Sequence, residues 1–156
     1  MPAVSRRRTI DAPVEVVWAT VSDPNHLPRW WPRVTRVENV QGSPGAKRTR
    51  WTTLLGTEAG RAVRADFRCV SAAVNERYVW EQEIADTPFE RILKRAETEV
   101  RMHAAGVGTE VAIATNQSLR GLSRLGSPWM RRATARTLSD ALSGLENALV
   151  GAEPRL

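Results

Sequence analysis

The side chains that could do covalent or acid–base chemistry are few in this chain, and they are scattered. Cys69 is the only cysteine, and His26 and His103 are the only histidines. That is too small a set of ligands for a usual tetrahedral metal site. Gly121-Leu122-Ser123-Arg124 lacks the closing glycine of a nucleophile elbow, so hydrolase chemistry has no support. Gly106-Val107-Gly108 lacks the third glycine and the following helix of a dinucleotide motif. His26 lies in Asp23-Pro24-Asn25-His26-Leu27-Pro28, at a rim between helix and loop, and His103 shares the wet phase of its strand with Arg101. The inward ionisable candidates are Lys94, Tyr78 and Arg50, with no convergent acid–base pair among them. A buried lysine would have a lowered pKa, whereas one near a strand end snorkels to solvent.

Binding chemistry has more to work with. Gln82, Thr115 and Gln117 are polar residues in the phase of apolar faces, where they could orient a molecule. Trp51, Phe67, Trp80 and Met102 are large enough to form walls. Ala65, Cys69, Ala96, Thr98 and Thr115 are small or polar and would leave space between them. A mostly apolar pocket with a few polar groups is what a small-molecule site looks like.

These residues fall on elements that can be read from the pattern. Val4 to Ile10 reads as an edge strand. Asp11 is placed to cap a short helix, Pro13 suits its first turn, and Val14, Val17, Trp18 and Val21 recur at helical spacing. Strands are expected at Val34 to Gln41, Lys47 to Leu55, Arg61 to Val70 and Arg77 to Ile84, separated by turn clusters such as Gly42-Ser43-Pro44-Gly45. In Arg61 to Val70 the alternation is clean: Val63, Ala65, Phe67 and Cys69 against Arg64, Asp66 and Arg68. Phe89 to Ala104 has helix-like charge spacing at Glu97 and Arg101, but Ala96, Thr98, Val100 and Met102 alternate, which predicts a long strand. Thr109 to Leu119 follows, with Val111, Ile113, Thr115, Gln117 and Leu119 on one face. Short connections favour antiparallel pairing.

The last element is a helix of about 22 residues, roughly 33 Å long. Ser127 can cap it and Pro128 can occupy its first turn. Met130, Thr134, Leu138, Leu142, Leu145 and Leu149 form one stripe. The result is an α+β chain: a seven-stranded curved antiparallel sheet wrapped around a long C-terminal helix, with two short helices between strands 1 and 2. One helix cannot fill the concavity of so wide a sheet, which leaves room for a ligand. The expected lining is Trp51, Phe67, Trp80, Gln82, Thr98, Met102, Thr115 and Gln117 from the strands and Met130, Thr134 and Leu138 from the helix.

Two segments match a known pattern. Ile10, Asp11, Ala12, Pro13, Val17, Trp18, Asp23, Trp30, Trp31 and Pro32 form the first, and Gly108-Thr109-Glu110-Val111 the second. With the long terminal helix, they resemble the START-like superfamily of polyketide cyclases and lipid-transport proteins, the SRPBCC or helix-grip fold, over roughly Val4 to Leu149. The resemblance implies the same fold and a hydrophobic, polyketide- or lipid-like ligand. Aromatase/cyclase members promote aldol closure and water loss in the cavity, so a cyclase or dehydratase is the second reading. No catalytic signature shared across the superfamily is matched here.

Size and charge bound the remainder. A chain of 156 residues fits one domain, spanning residues 1–156 and burying about 70% of its unfolded surface. No run approaches the ~18 apolar residues of a membrane span, and the Arg-rich start lacks a signal-peptide core, so a cytoplasmic protein without a cofactor is expected. The net charge is +6, and of the 23 basic residues only Lys47 and Lys94 are lysine, leaving 21 arginines. No acidic residue lies between Glu110 and Asp140, while Arg120, Arg124, Arg131, Arg132 and Arg136 do. That stretch motivates a third reading, a nucleic-acid or ribosome-binding regulator, since the resembled superfamily includes ribosome-associated toxins; an anionic surface of membrane headgroups is a further partner it would fit. No aromatic-interleaved RNA signature accompanies it. Oligomeric state is open; exposed Trp30 or Trp129 would serve a dimer contact or a pocket lid.

Overall fold

The computed structural model describes residues 4–57, 60–121 and 127–151, with backbone only at 127 and 151. Seven strands, β1 (Val4–Ile10), β2 (Val34–Gln41), β3 (Arg50–Gly56), β4 (Ala62–Ala73), β5 (Arg77–Glu83), β6 (Leu93–Ala105) and β7 (Gly108–Leu119), form one antiparallel sheet. The order is β1-β7-β6-β5-β4-β3-β2. Helices α1 (Val14–Val21) and α2 (Leu27–Trp30) connect β1 to β2, which lie at opposite edges of the sheet. The long helix α3 (Ser127–Glu146) ends in a π turn, Asn147–Gly151, and packs against β1, β7 and α2. This is the α+β helix-grip architecture expected.

Burial follows the predicted periods. In β4, Ala65 and Cys69 are buried while Arg64, Asp66 and Arg68 are exposed. Along α3, Leu138, Leu142 and Leu145 are buried, with Ala141 between them. Glycine sets how closely α3 approaches α2. A Cβ on Gly144 would lie 2.2 Å from the Trp30 carbonyl oxygen, so only glycine fits. Gly108 does the same for the two matched segments, since a Cβ there would sit 2.5 Å from the Ile10 carbonyl oxygen. Next to it the buried Thr109 hydroxyl donates to the Ala12 carbonyl at 2.7 Å. The Gly-Thr turn and the Ile-Asp-Ala-Pro turn therefore touch, 97 residues apart in sequence.

Local chemistry departs from expectation in four places. Asp11 does not cap α1. The Ala12 amide turns back onto the Ile10 carbonyl at 2.9 Å, and Pro13 occupies the N-cap position, with no side-chain cap. Lys47 to Thr49 belongs to a turn rather than to β3: Arg48 has φ 76°, and the Thr49 hydroxyl bonds the carbonyls of Ser43 and Ala46 at 2.7 Å each. Phe89 starts no strand, because Pro88–Arg91 form a 3-10 turn before β6. Trp30 is only 2% exposed, held under Gly144, and cannot serve as an outer contact. The cap expected of Ser127 lies outside the described side chains, as does Arg124 altogether.

Candidate ligand-binding cavity

A connected aromatic cluster joins the sheet's inner face to α1 and α2. Phe67 stacks on Trp51 with centroids 6.0 Å apart, and Trp51 meets Trp80 at 6.4 Å. Trp80 meets Trp31 at 5.4 Å, edge to face, and Trp31 meets Trp30 at the same distance. Tyr78 joins Trp80 at 5.9 Å and Trp18 at 6.0 Å. Such rings bury much apolar area and prefer these tilted geometries. Four of them, Trp31, Trp51, Phe67 and Trp80, wall one side of a cavity of about 270 Å³ between the sheet and α3.

Ten of the eleven expected residues line this cavity. Trp51, Phe67, Trp80 and Gln82 come from β3 to β5, Thr98 from β6, Thr115 and Gln117 from β7, and Met130, Thr134 and Leu138 from α3. Register explains the assembly. Trp51, Phe67 and Gln82 are successive cross-strand partners on β3, β4 and β5, and Trp80, Thr98 and Thr115 make a second row across β5, β6 and β7. Inner-face side chains in one row are neighbours.

Met102 is the exception. It is 4% exposed and pairs with Val111, four residues along β6 from Thr98 and about 13 Å away, so it packs in the core outside the cavity. Ala65 and Cys69 are likewise buried outside the lining, while Ala96 is part of it. Two ionisable candidates turn outward. Arg50 precedes Trp51 and takes the opposite face, where it bonds Glu83 at 2.7 Å. Lys94 is exposed because an irregularity between Leu93 and Arg95 shifts the strand's phase. His103 is exposed as expected, and His26 stands 3.9 Å from Asp23 at the end of the 3-10 turn Pro24–His26.

Leu27, Trp31, Val34, Thr53, Leu55, Ala133 and Thr137 also line the cavity and were not anticipated. Thr53 and Leu55 share the phase of Trp51, and Ala133 and Thr137 stand three residues beyond Met130 and Thr134. Periodicity could have found these four. Trp31 and Val34 depend on how α2 delivers the chain to β2, for which the sequence offers no local signal.

The wall is polar without being ionisable. The Thr98 and Thr115 hydroxyls bond each other at 3.1 Å, and the Thr134 hydroxyl donates to Gln117 Oε1 at 3.3 Å, linking α3 to β7. Trp51 Nε1, Thr53 Oγ1 and Gln82 Nε2 are buried without a hydrogen-bond partner among the described residues. Every described lining residue is neutral. Tyr78 and Cys69, buried in the adjoining core, lie outside the lining, and burial pushes the Tyr78 phenol well above its ordinary value and the Cys69 thiol up. Both therefore stay protonated at neutral pH.

An antiparallel sheet gripping a long helix, with a cavity enclosed between them, defines the START-like helix-grip class. A model of the family "polyketide cyclase / dehydrase and lipid transport" matches residues 1–150, so the chain belongs to that family. No curated protein sequence matches it. Among solved structures, TTHA0849 from Thermus thermophilus is similar with TM-score 0.76 and 22% identity, over 97% of this chain and 99% of that one. A START superfamily protein from Mycobacterium smegmatis is similar with TM-score 0.76 and 14% identity over the same shares. The di-domain ARO/CYC BexL from the BE-7585A biosynthetic pathway is similar with TM-score 0.77 and 16% identity, over 98% of this chain and 51% of that one. These identities establish a common fold. Among the described residues no helix is long and apolar enough to cross a membrane.

Proposed function

We propose that this chain is a single-domain binding protein for a small hydrophobic molecule held between the inner sheet face and α3. The observation that carries the reading is the cavity itself: aromatic and aliphatic walls, a few threonine and glutamine groups, and no ionisable side chain among its described lining residues. Threonine and glutamine orient a bound molecule by hydrogen bonds but do not exchange protons near neutral pH. The wall therefore suits retention better than acid–base turnover. At about 270 Å³ the cavity falls just below the roughly 300–1,000 Å³ of small-molecule sites, which favours a small ligand. Burying ~300 Å² of apolar ligand would contribute about 7 kcal/mol gross, against association costs of at least about 4 kcal/mol. The surplus of at most about 3 kcal/mol corresponds to a Kd of several millimolar, so tighter binding draws on hydrogen bonds from the lining or on a larger buried area.

Native mass spectrometry of gently purified protein, followed by denaturation, tests this directly. A discrete hydrophobic compound should be released from the wild type and be missing from Ala96→Phe, in which the new ring occupies the cavity. A compound retained equally by folded Ala96→Phe would place binding elsewhere and overturn the proposal.

A further inference from the structure

Outside the cavity, and sharing Trp31, Leu55, Ala133 and Thr137 with it, runs an open groove of about 680 Å³. Two features come together in it. Seven of the nine aromatic residues form the inner cluster, and the other two, Phe89 and Trp129, both line this groove; Trp129 is 78% exposed. Arg132 and Arg136, one helical turn apart on α3, also line it, are exposed, and have neither ion pair nor hydrogen bond among the described residues. On the outer sheet face, by contrast, Arg36, Arg50, Arg64, Arg68, Arg77, Arg95 and Arg101 all reach a glutamate. The groove's only carboxylate among the described residues is Asp140.

We propose that the groove holds the anionic end of the cavity's ligand, an amphiphile whose apolar body lies inside and whose carboxylate or phosphate is met by Arg132 and Arg136. The step rests on the cavity reading and goes further, because it fixes where the ligand's charge lies. A cavity lined by neutral residues cannot take an unpaired charge without a large desolvation cost. Guanidinium groups at its mouth meet carboxylate or phosphate oxygens while both remain partly hydrated. The exposed indole of Trp129 is placed beside the emerging chain.

The test uses three probes with one chain length: 1-decanol, decanoate and decyl phosphate. Affinity for each is measured by calorimetry with the wild type and with Arg132→Gln/Arg136→Gln, at low and at 0.5 M salt. At low salt the wild type should bind the anions about ten-fold more tightly than decanol. That preference should collapse in the double variant and shrink in high salt. Decanol affinity should be unchanged between the two proteins, which also reports that the variant is folded. Decanoate ahead of decyl phosphate, or the reverse, supports the proposal and separates a fatty-acid-like from a phosphorylated ligand. Decanol bound as tightly as the anions overturns the mouth assignment and leaves the cavity reading standing. An anion preference that survives the double substitution also overturns it. Binding of none of the three overturns both.

Discussion

The two faces of the sheet come from the same strands, yet their polar groups follow opposite rules. On the outer face, charge is matched by charge. Glu38 meets Arg36 at 2.6 Å and Arg64 at 3.2 Å, and Glu99 meets Arg77 and Arg101 at 2.8 Å each. These pairs are solvated, so each contributes little, and their main consequence is a sheet face with its cations locally neutralised. On the inner face there is no charge among the described cavity residues, and polar groups pair through hydroxyls and amides or remain without partners. Alternation along a strand is what permits this, since consecutive residues face different solvents. The lesson is that this chain's high arginine content says little about its interior. Charge becomes informative where it is left unmatched beside exposed aromatic surface, as at Arg132, Arg136 and Trp129.

The contrast can be broken by moving a charge across the sheet. Thr98→Glu places a carboxylate in the neutral wall beside Thr115, and thermal unfolding should show a loss of about 3 kcal/mol or more. The close contact between α3 and α2 at Gly144 is nearly as sensitive. Gly144→Ala sets a Cβ against the Trp30 carbonyl at 2.2 Å and should cost about 2–3 kcal/mol in a denaturant titration. A cost below about 0.5 kcal/mol would mean that the helix can shift without consequence.

The buried phenol sharpens the comparison through pH. Tyr78 has its folded pKa raised, so the neutral form is favoured in the folded state and its stabilising effect is complete below the unfolded value of about 10. Stability should fall as pH rises above that value, when the unfolded chain ionises and the folded one does not. Cys69 adds a decline in the same direction from its lower ordinary value. Comparing stability at pH 8 and pH 11, Tyr78→Phe should show a shallower decline than the wild type; an equal decline would assign the alkaline loss to other groups. The smallest effect belongs to the outer face. Glu38→Gln should change stability by less than about 1 kcal/mol, and the difference should vanish in high salt.

Periodicity makes much of this legible. The alternation of Val63 to Cys69 and the stripe from Met130 to Leu149 place β4 and α3, and with them most of the cavity wall. The misses have separate causes. Residue type makes Asp11 a cap, but the Ala12 amide bonds the Ile10 carbonyl and delays the helix. Counting puts Lys94 on the inner face, and a local irregularity shifts the count. Met102 is in phase yet too far along its strand, because phase says which face a residue takes but not where on it the cavity ends. Residue type and phase thus name a possible cap or face, while the hydrogen bonds made and the position along the strand decide the outcome.

The sequence by itself determined the elements, the inward face of most strands and the family, because hydrophobic period and turn chemistry are local properties that a chain carries before it folds. Only the tertiary structure decided how large the cavity is, which residues bound it, and that Phe89 and Trp129, 40 positions apart, flank one groove with two unmatched arginines. Those features depend on the angle and depth at which α3 meets the sheet. A close approach at Gly144 bears on that contact, and its missing Cβ has meaning only once the Trp30 carbonyl is in place.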